Sequence, residues 1–204
     1  ELGNIARIMD NLIAEKKCKP MIVVMPNGNI AKQAAAGETF ENQNYKPVMT
    51  NFLPHFKDGT FETAFPEIVD YVDATFNTKA DKAHRAIAGL SMGGLHSVMI
   101  SANYPDLFDY VGLFSAGVNF KDIDMEAFPA YANLDTKLAT QAKKGVKLYW
   151  IAIGKEDQHM NNNKLLMERL DKDGLKYTYH ESSRGHIWSN WRQYTLQFVP
   201  QLFK

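Results

Sequence analysis

Apolar side chains at the start of the chain, Leu2, Ile5, Ile8, Met9, Leu12 and Ile13, fall on one face at helical spacing and predict a helix within residues 1–17. Lys19-Pro20 breaks that pattern. Met21 to Met25 then forms a continuous apolar run closed by Pro26-Asn27-Gly28, the pattern of a buried strand and a turn. Residues 28–60 mix polar, small and aromatic positions without a sustained period and predict a long excursion, which in a compact domain is usually functional. Periodicity returns with Phe61, Phe65, Ile68, Val69, Val72 and Phe76, a second helix.

From there strands and helices alternate. The pattern predicts a strand over 84–90, a helix over 92–103 and an apolar strand over 109–115. A second irregular stretch, 117–135, leads into a helix over 136–144. A strand over 146–153, a helix over 161–171, a strand over 176–181 and a closing helix over 188–203 complete the series. Strands separated by helices of this length predict a mostly parallel sheet with helices on both faces. No repeat, low-complexity tract or linker interrupts it, so residues 1–204 are expected to form one α/β domain.

Composition narrows the partners. At 45% hydrophobic and 23% charged, the chain can bury an ordinary core. Its 23 basic and 23 acidic residues cancel, which argues against the clustered cations that bind nucleic acid or an anionic membrane. Its apolar runs are far shorter than the roughly 20 residues of a membrane span. One cysteine, Cys18, excludes an internal disulfide and a multi-cysteine zinc site. The chain opens at Glu1, already inside a helical pattern, so the natural N-terminus is expected further upstream. A missing signal peptide is then no evidence for the cytoplasm.

Ligands of parallel sheets bind at the carboxyl ends of the strands. One such junction carries Gly89-Leu90-Ser91-Met92-Gly93, between a predicted strand and a predicted helix. A serine on so tight a turn needs small neighbours, and the helix behind it aims the Met92 N–H at a developing oxyanion. Serine is a poor nucleophile without a base oriented by a third group. In this architecture the chain order should be serine, acid, histidine. Asp157 follows the strand over 146–153, and His186 follows the strand over 176–181, both on the edge that carries Ser91.

Competing residues are weighed alongside. Glu156 adjoins Asp157 and is the alternative orienting acid, whereas Asp171 and Asp173 read as solvated turn residues. His159 precedes the Asn161-Asn162-Asn163 helix start and reads as a cap or surface residue. His96 lies inside the helix after Ser91 and reads as a packed or surface histidine, and His55, His84 and His180 lack a convergent partner. No His-Glu-x-x-His spacing supports a metal.

With Gly89-Leu90-Ser91-Met92-Gly93-Gly94, Gly154-Lys155-Glu156-Asp157 and Gly185-His186-Ile187-Trp188-Ser189-Asn190-Trp191-Arg192 in place, the chain resembles the putative-esterase branch of the α/β-hydrolases. That branch includes the feruloyl and acetyl-xylan esterases of the first carbohydrate esterase family. The segments around 8–28 and 191–203 are similar to that group's entry into its fourth strand and to its terminal helix. The resemblance implies Ser91 as nucleophile, His186 as base and then acid, Asp157 as its orienting group and the Met92 N–H as an oxyanion donor. It also places Trp188 at the pocket mouth, with an ordinary core tryptophan as the competing reading.

The implied activity is hydrolysis of feruloyl or acetyl esters on plant cell-wall polysaccharide by a secreted or periplasmic serine esterase. It takes a small-molecule or polysaccharide ester, uses no cofactor or metal, and involves neither nucleic acid nor membrane. Oligomeric state stays open. Acyl transfer to a sugar, thioester hydrolysis as in S-formylglutathione hydrolases, and a catalytically weak carbohydrate-binding relative are the alternatives. The resemblance also implies N-terminal strands upstream of Glu1, the third supplying a second oxyanion donor. Nothing in the chain matches that strand. An N-terminally incomplete domain is therefore expected, since losing one such donor typically costs about 10²–10³ in rate.

Overall fold

In the computed structural model, which describes residues 3–26, 28, 58–118 and 126–204, one step repeats to build the sheet. Strands Ala86–Leu90 (β1), Tyr110–Phe114 (β2), Leu148–Gly154 (β3) and Thr178–Ser182 (β4) lie side by side in chain order, every pair parallel. The helices are Ile5–Ala14 (α1), Thr60–Thr75 (α2), Met92–Asn103 (α3), Leu134–Lys144 (α4), Met160–Lys172 (α5) and Trp188–Phe198 (α6). Each of α3, α4 and α5 connects two neighbouring strands, and crossovers of one hand carry such helices to one face of a sequentially ordered sheet.

Strand alternation splits the core accordingly. Val111, Leu113, Tyr149 and Ile151 pack with Leu95, Val98 and Met99 of α3, Leu138 of α4, and Leu166 and Leu170 of α5. On the opposite face Tyr110, Phe114, Trp150 and Ala152 meet Trp191, Tyr194 and Phe198 of α6. Ile8, Met9 and Leu12 of α1 gather around Val199, just beyond α6. Val111, Leu113 and Ile151 are completely buried, and each such side chain contributes about 1.5–3 kcal/mol. Helices thus cover both faces, as the alternation predicts.

Two expectations need correction. Residues 21–26 form no strand, and Ile22, Val23, Val24 and Met25 stand 43–70% exposed. An apolar run becomes a buried strand only when neighbours pair its backbone and cover its faces; among the described residues nothing does. The closing helix stops at Phe198 and continues as a 3₁₀ turn over Val199–Gln201, because Pro200 has no N–H to continue the ladder. Nearly all of the excursion over 28–60, and residues 119–125 of the second, lie outside the described residues.

Candidate active site

Ser91 sits where β1 turns into α3, at φ 53 and ψ −115. That backbone is strained for a non-glycine residue and persists because its surroundings over-determine it. Its N–H donates to Phe114 O at 2.9 Å, and its carbonyl accepts from Gly94, Leu95 and Gly117 N–H at 3.0, 3.2 and 2.7 Å. The turn closes so tightly that a Cβ on Gly89 would stand 2.1 Å from Gly93 O, and one on Gly94 2.7 Å from Ala116 Cα, whereas one on Gly93 would meet nothing within 4 Å. Side-chain crowding therefore acts at 89 and 94, and Gly93 enters through its backbone. The Met92 N–H, first in α3, has no acceptor within the helix and lies at its positive end.

The other two groups arrive on adjacent loops. After β3 and β4 the chain zips together through Lys155 N–H to Ser182 O and Glu156 N–H to Arg184 O, both 2.9 Å. Asn190 donates its side-chain amide to Ser183 O and Gly185 O, each at 3.0 Å, and so shapes the turn before His186. His186 Nδ1 then lies 3.0 Å from Asp157 Oδ2 and 3.2 Å from Oδ1, while its Nε2 lies 2.9 Å from Ser91 Oγ. The Asp157 side chain is completely buried and that of His186 is 21% exposed. With the carboxylate accepting at Nδ1, the tautomer that fits leaves a lone pair on Nε2 facing the serine hydroxyl. Such a lone pair can take a proton as the oxygen attacks.

The remaining candidates go elsewhere. Glu156 is exposed, and it is Asp157 whose carboxylate meets the imidazole. His84 pairs with Asp81 at 2.8 Å, and the His180 ring stacks on Trp150 at 5.9 Å. His96 is buried and pairs with Glu62 at 2.7 Å, a carboxylate that also accepts from the Tyr131 hydroxyl at 3.1 Å. His55 lies outside the described residues. Trp188 is half-buried, edge-on to Trp191 at 5.0 Å, and would stand 3.3 Å from a Cβ on Gly3.

Two neighbours of His186 were given no role at the site by the sequence. Trp191 sets its ring against His186 at 4.8 Å and donates its indole N–H to Ser115 Oγ at 3.1 Å. His159 heads α5, but its side chain makes no capping bond. Its ring meets His186 at 5.0 Å instead, and its N–H donates to Asp157 Oδ1 at 2.9 Å. Burial holds the His159 imidazole below its usual range, with the nearby His186 reinforcing and Asp157 opposing the shift. The only sequence signal was its spacing of two from Asp157. Among the described residues no cluster of three His, Cys, Asp or Glu side chains is placed to hold a metal, and no helix is long and apolar enough to cross a membrane.

Comparison with known proteins identifies the family. The profile of a family described as Putative esterase matches residues 1–202. An endo-1,4-beta-xylanase/feruloyl esterase of Xylanibacter ruminicola is 31% identical over 99% of this chain and 24% of its own length. An acetyl esterase of Caldicellulosiruptor saccharolyticus is 26% identical over 63% of this chain and 58% of its own. The chain thus spans about a quarter and somewhat over half of these two relatives. The structure of a ferulic acid esterase superposes with a TM-score of 0.75 at 21% identity, covering 98% of this chain and 77% of that one. The fold is that of the α/β-hydrolase esterases.

Proposed function

The chain belongs to the Putative esterase family, and from that premise we propose that it is a serine carboxylesterase hydrolysing feruloyl or acetyl esters on plant cell-wall polysaccharide. The observation that carries this reading is the continuous contact from Asp157 through His186 to Ser91. Ser91 Oγ attacks the ester carbonyl while its proton passes to His186 Nε2, and Asp157 stabilises the resulting imidazolium. The carbonyl oxygen, now negative, accepts from the Met92 N–H. Collapse of this intermediate expels the sugar alkoxide, which takes the proton from Nε2, and leaves an acyl-enzyme. Water repeats the cycle, with His186 as its base, and frees the acid.

The names of the two curated relatives supply the acyl groups. The xylanase in one of them supports plant xylan as the carrier, and on this reading the enzyme acts outside the cytoplasm. Trp188, one ring removed from the His186 contact through Trp191, is proposed to border the substrate entrance.

The test is a fluorophosphonate probe together with hydrolysis of methyl ferulate, 4-nitrophenyl acetate and acetylated xylan. The probe should label Ser91, and Ser91→Ala should abolish labelling and lower turnover by about 10⁴-fold or more. A folded protein that neither labels nor hydrolyses any of the three would overturn the reading in favour of a carbohydrate-binding relative.

A further inference from the structure

Two rings that the proton transfers themselves do not require pack against His186. Trp191 meets it at 4.8 Å with planes at 85°, and His159 at 5.0 Å and 68°, both edge to face. Trp191 is buried and anchored on Ser115. His159 is only half-buried, but its backbone is pinned at both ends. Its N–H donates to Asp157 Oδ1 at 2.9 Å, and its carbonyl accepts from the backbone and side-chain amides of Asn163 at 3.0 and 2.9 Å.

Asn163 is itself completely buried, and the same side-chain amide donates to Ala116 O at 2.8 Å. The following residue, Gly117, donates its N–H to Ser91 O at 2.7 Å. The first turn of α5 is therefore tied to the acid at one end and to the nucleophile turn at the other. It carries the His159 ring on a rigid mount.

We propose that His159 is a positioning residue of this site: its ring confines the His186 imidazole to the plane in which Nδ1 faces Asp157 and Nε2 faces Ser91. This rests on the esterase reading. The terminal torsion of a histidine is broad and soft, and the imidazole must keep one plane through two successive proton transfers. Two packed rings oppose the tilt that hydrogen bonds at Nδ1 and Nε2 leave available. A catalytic group displaced by 1 Å can cost about 10² in rate.

The ring, and not a charge, is the operative feature. Among the contacts of the His186 ring, the titratable groups are Asp157 and His159; the β1–α3 turn presents Ser91 and α6 presents Trp191. Glu156 and Arg184, in the flanking loops, are exposed. Burial holds the His159 imidazole below its usual range, which favours its uncharged form beside Asp157 and His186.

The experiment compares the full chain with its His159→Ala and His159→Phe variants, using 4-nitrophenyl acetate kinetics and the downfield proton resonance of His186 Nδ1–H. Removing the ring should lower kcat about tenfold with KM within about twofold, and should broaden the resonance. Phenylalanine, a ring without nitrogens, should restore kcat to within about threefold and keep the resonance sharp. The proposal is overturned if alanine changes neither readout, or if phenylalanine is as impaired as alanine. A wild-type protein without esterase activity would instead sink the esterase reading, while the resonance would still report whether His159 holds the imidazole.

Discussion

His186 Nε2 stands 2.9 Å from Ser91 Oγ, although 95 residues of chain separate them. The approach depends on two loops zipped at the carboxyl ends of β3 and β4 and on a serine lifted off β1 by a strained turn. None of these parts is local to another. Each gives rise to a measurable expectation.

Asp157 accepts from His186 Nδ1 and from the His159 N–H inside a completely buried pocket. Asp157→Asn can offer an amide hydrogen to Nδ1 and so favour the tautomer whose Nε2 carries a proton and cannot accept one. Steady-state kinetics should show kcat falling about 10³–10⁴-fold with KM little changed, and thermal melting should show the fold retained.

Gly89 and Gly93 flank Ser91 symmetrically in sequence but not in space. A methyl group at 89 would collide with the Gly93 carbonyl, while one at 93 meets nothing. Gly89→Ala should lower the melting temperature by several degrees or prevent folding. Gly93→Ala should match the parent or gain about 0.5–1 kcal/mol from its helical position. Equal melting temperatures for the two variants would contradict the packing.

Glu62 binds α2 to α3 through His96 and accepts from Tyr131 in a region closed to water. Burial, chiefly, and the Glu62 charge push the Tyr131 hydroxyl well above its ordinary range, so it remains a donor. Glu62→Leu strands both donors. Urea unfolding should show a loss of about 3–5 kcal/mol, large for a position remote from the serine.

Asp73 accepts from the Thr78 hydroxyl and pairs with Arg85, just before β1. The hydrogen bond from Thr78, with the Arg85 contact adding to it, holds its carboxyl below the usual range against the opposing effect of burial. The folded value is depressed, so the stabilisation is complete above the unfolded carboxylate range near about 4. It drains away as pH falls through the lower folded value. The stability difference between the parent and Asp73→Asn should therefore be largest near neutrality and shrink as pH falls below about 4, measured by urea unfolding at several pH values.

Much of this was legible beforehand because it follows from short-range pattern. Short apolar runs set between helical repeats located all four strands of the sheet and its connecting helices, since Val111, Leu113, Tyr149 and Ile151 on one face and Tyr110, Phe114, Trp150 and Ala152 on the other are all buried. The convergence of Ser91, Asp157 and His186 was legible because each lies just past the carboxyl end of a strand. The run Met21–Met25 misled for the converse reason: its composition suits a strand, but burial requires partners that composition does not supply.

What the sequence by itself determined is the order of elements and the edge on which the three converging side chains emerge, because backbone hydrogen bonding and apolar patterning are local. Tertiary structure alone decided how those side chains are held. The ring of His159 against His186, the Asn163 amide bridging two loops, and the pairing of His96 with Glu62 join residues from separate elements. Their partners are chosen by how helices and loops pack on the sheet. A contact of that kind leaves no periodic trace in either of the segments that form it.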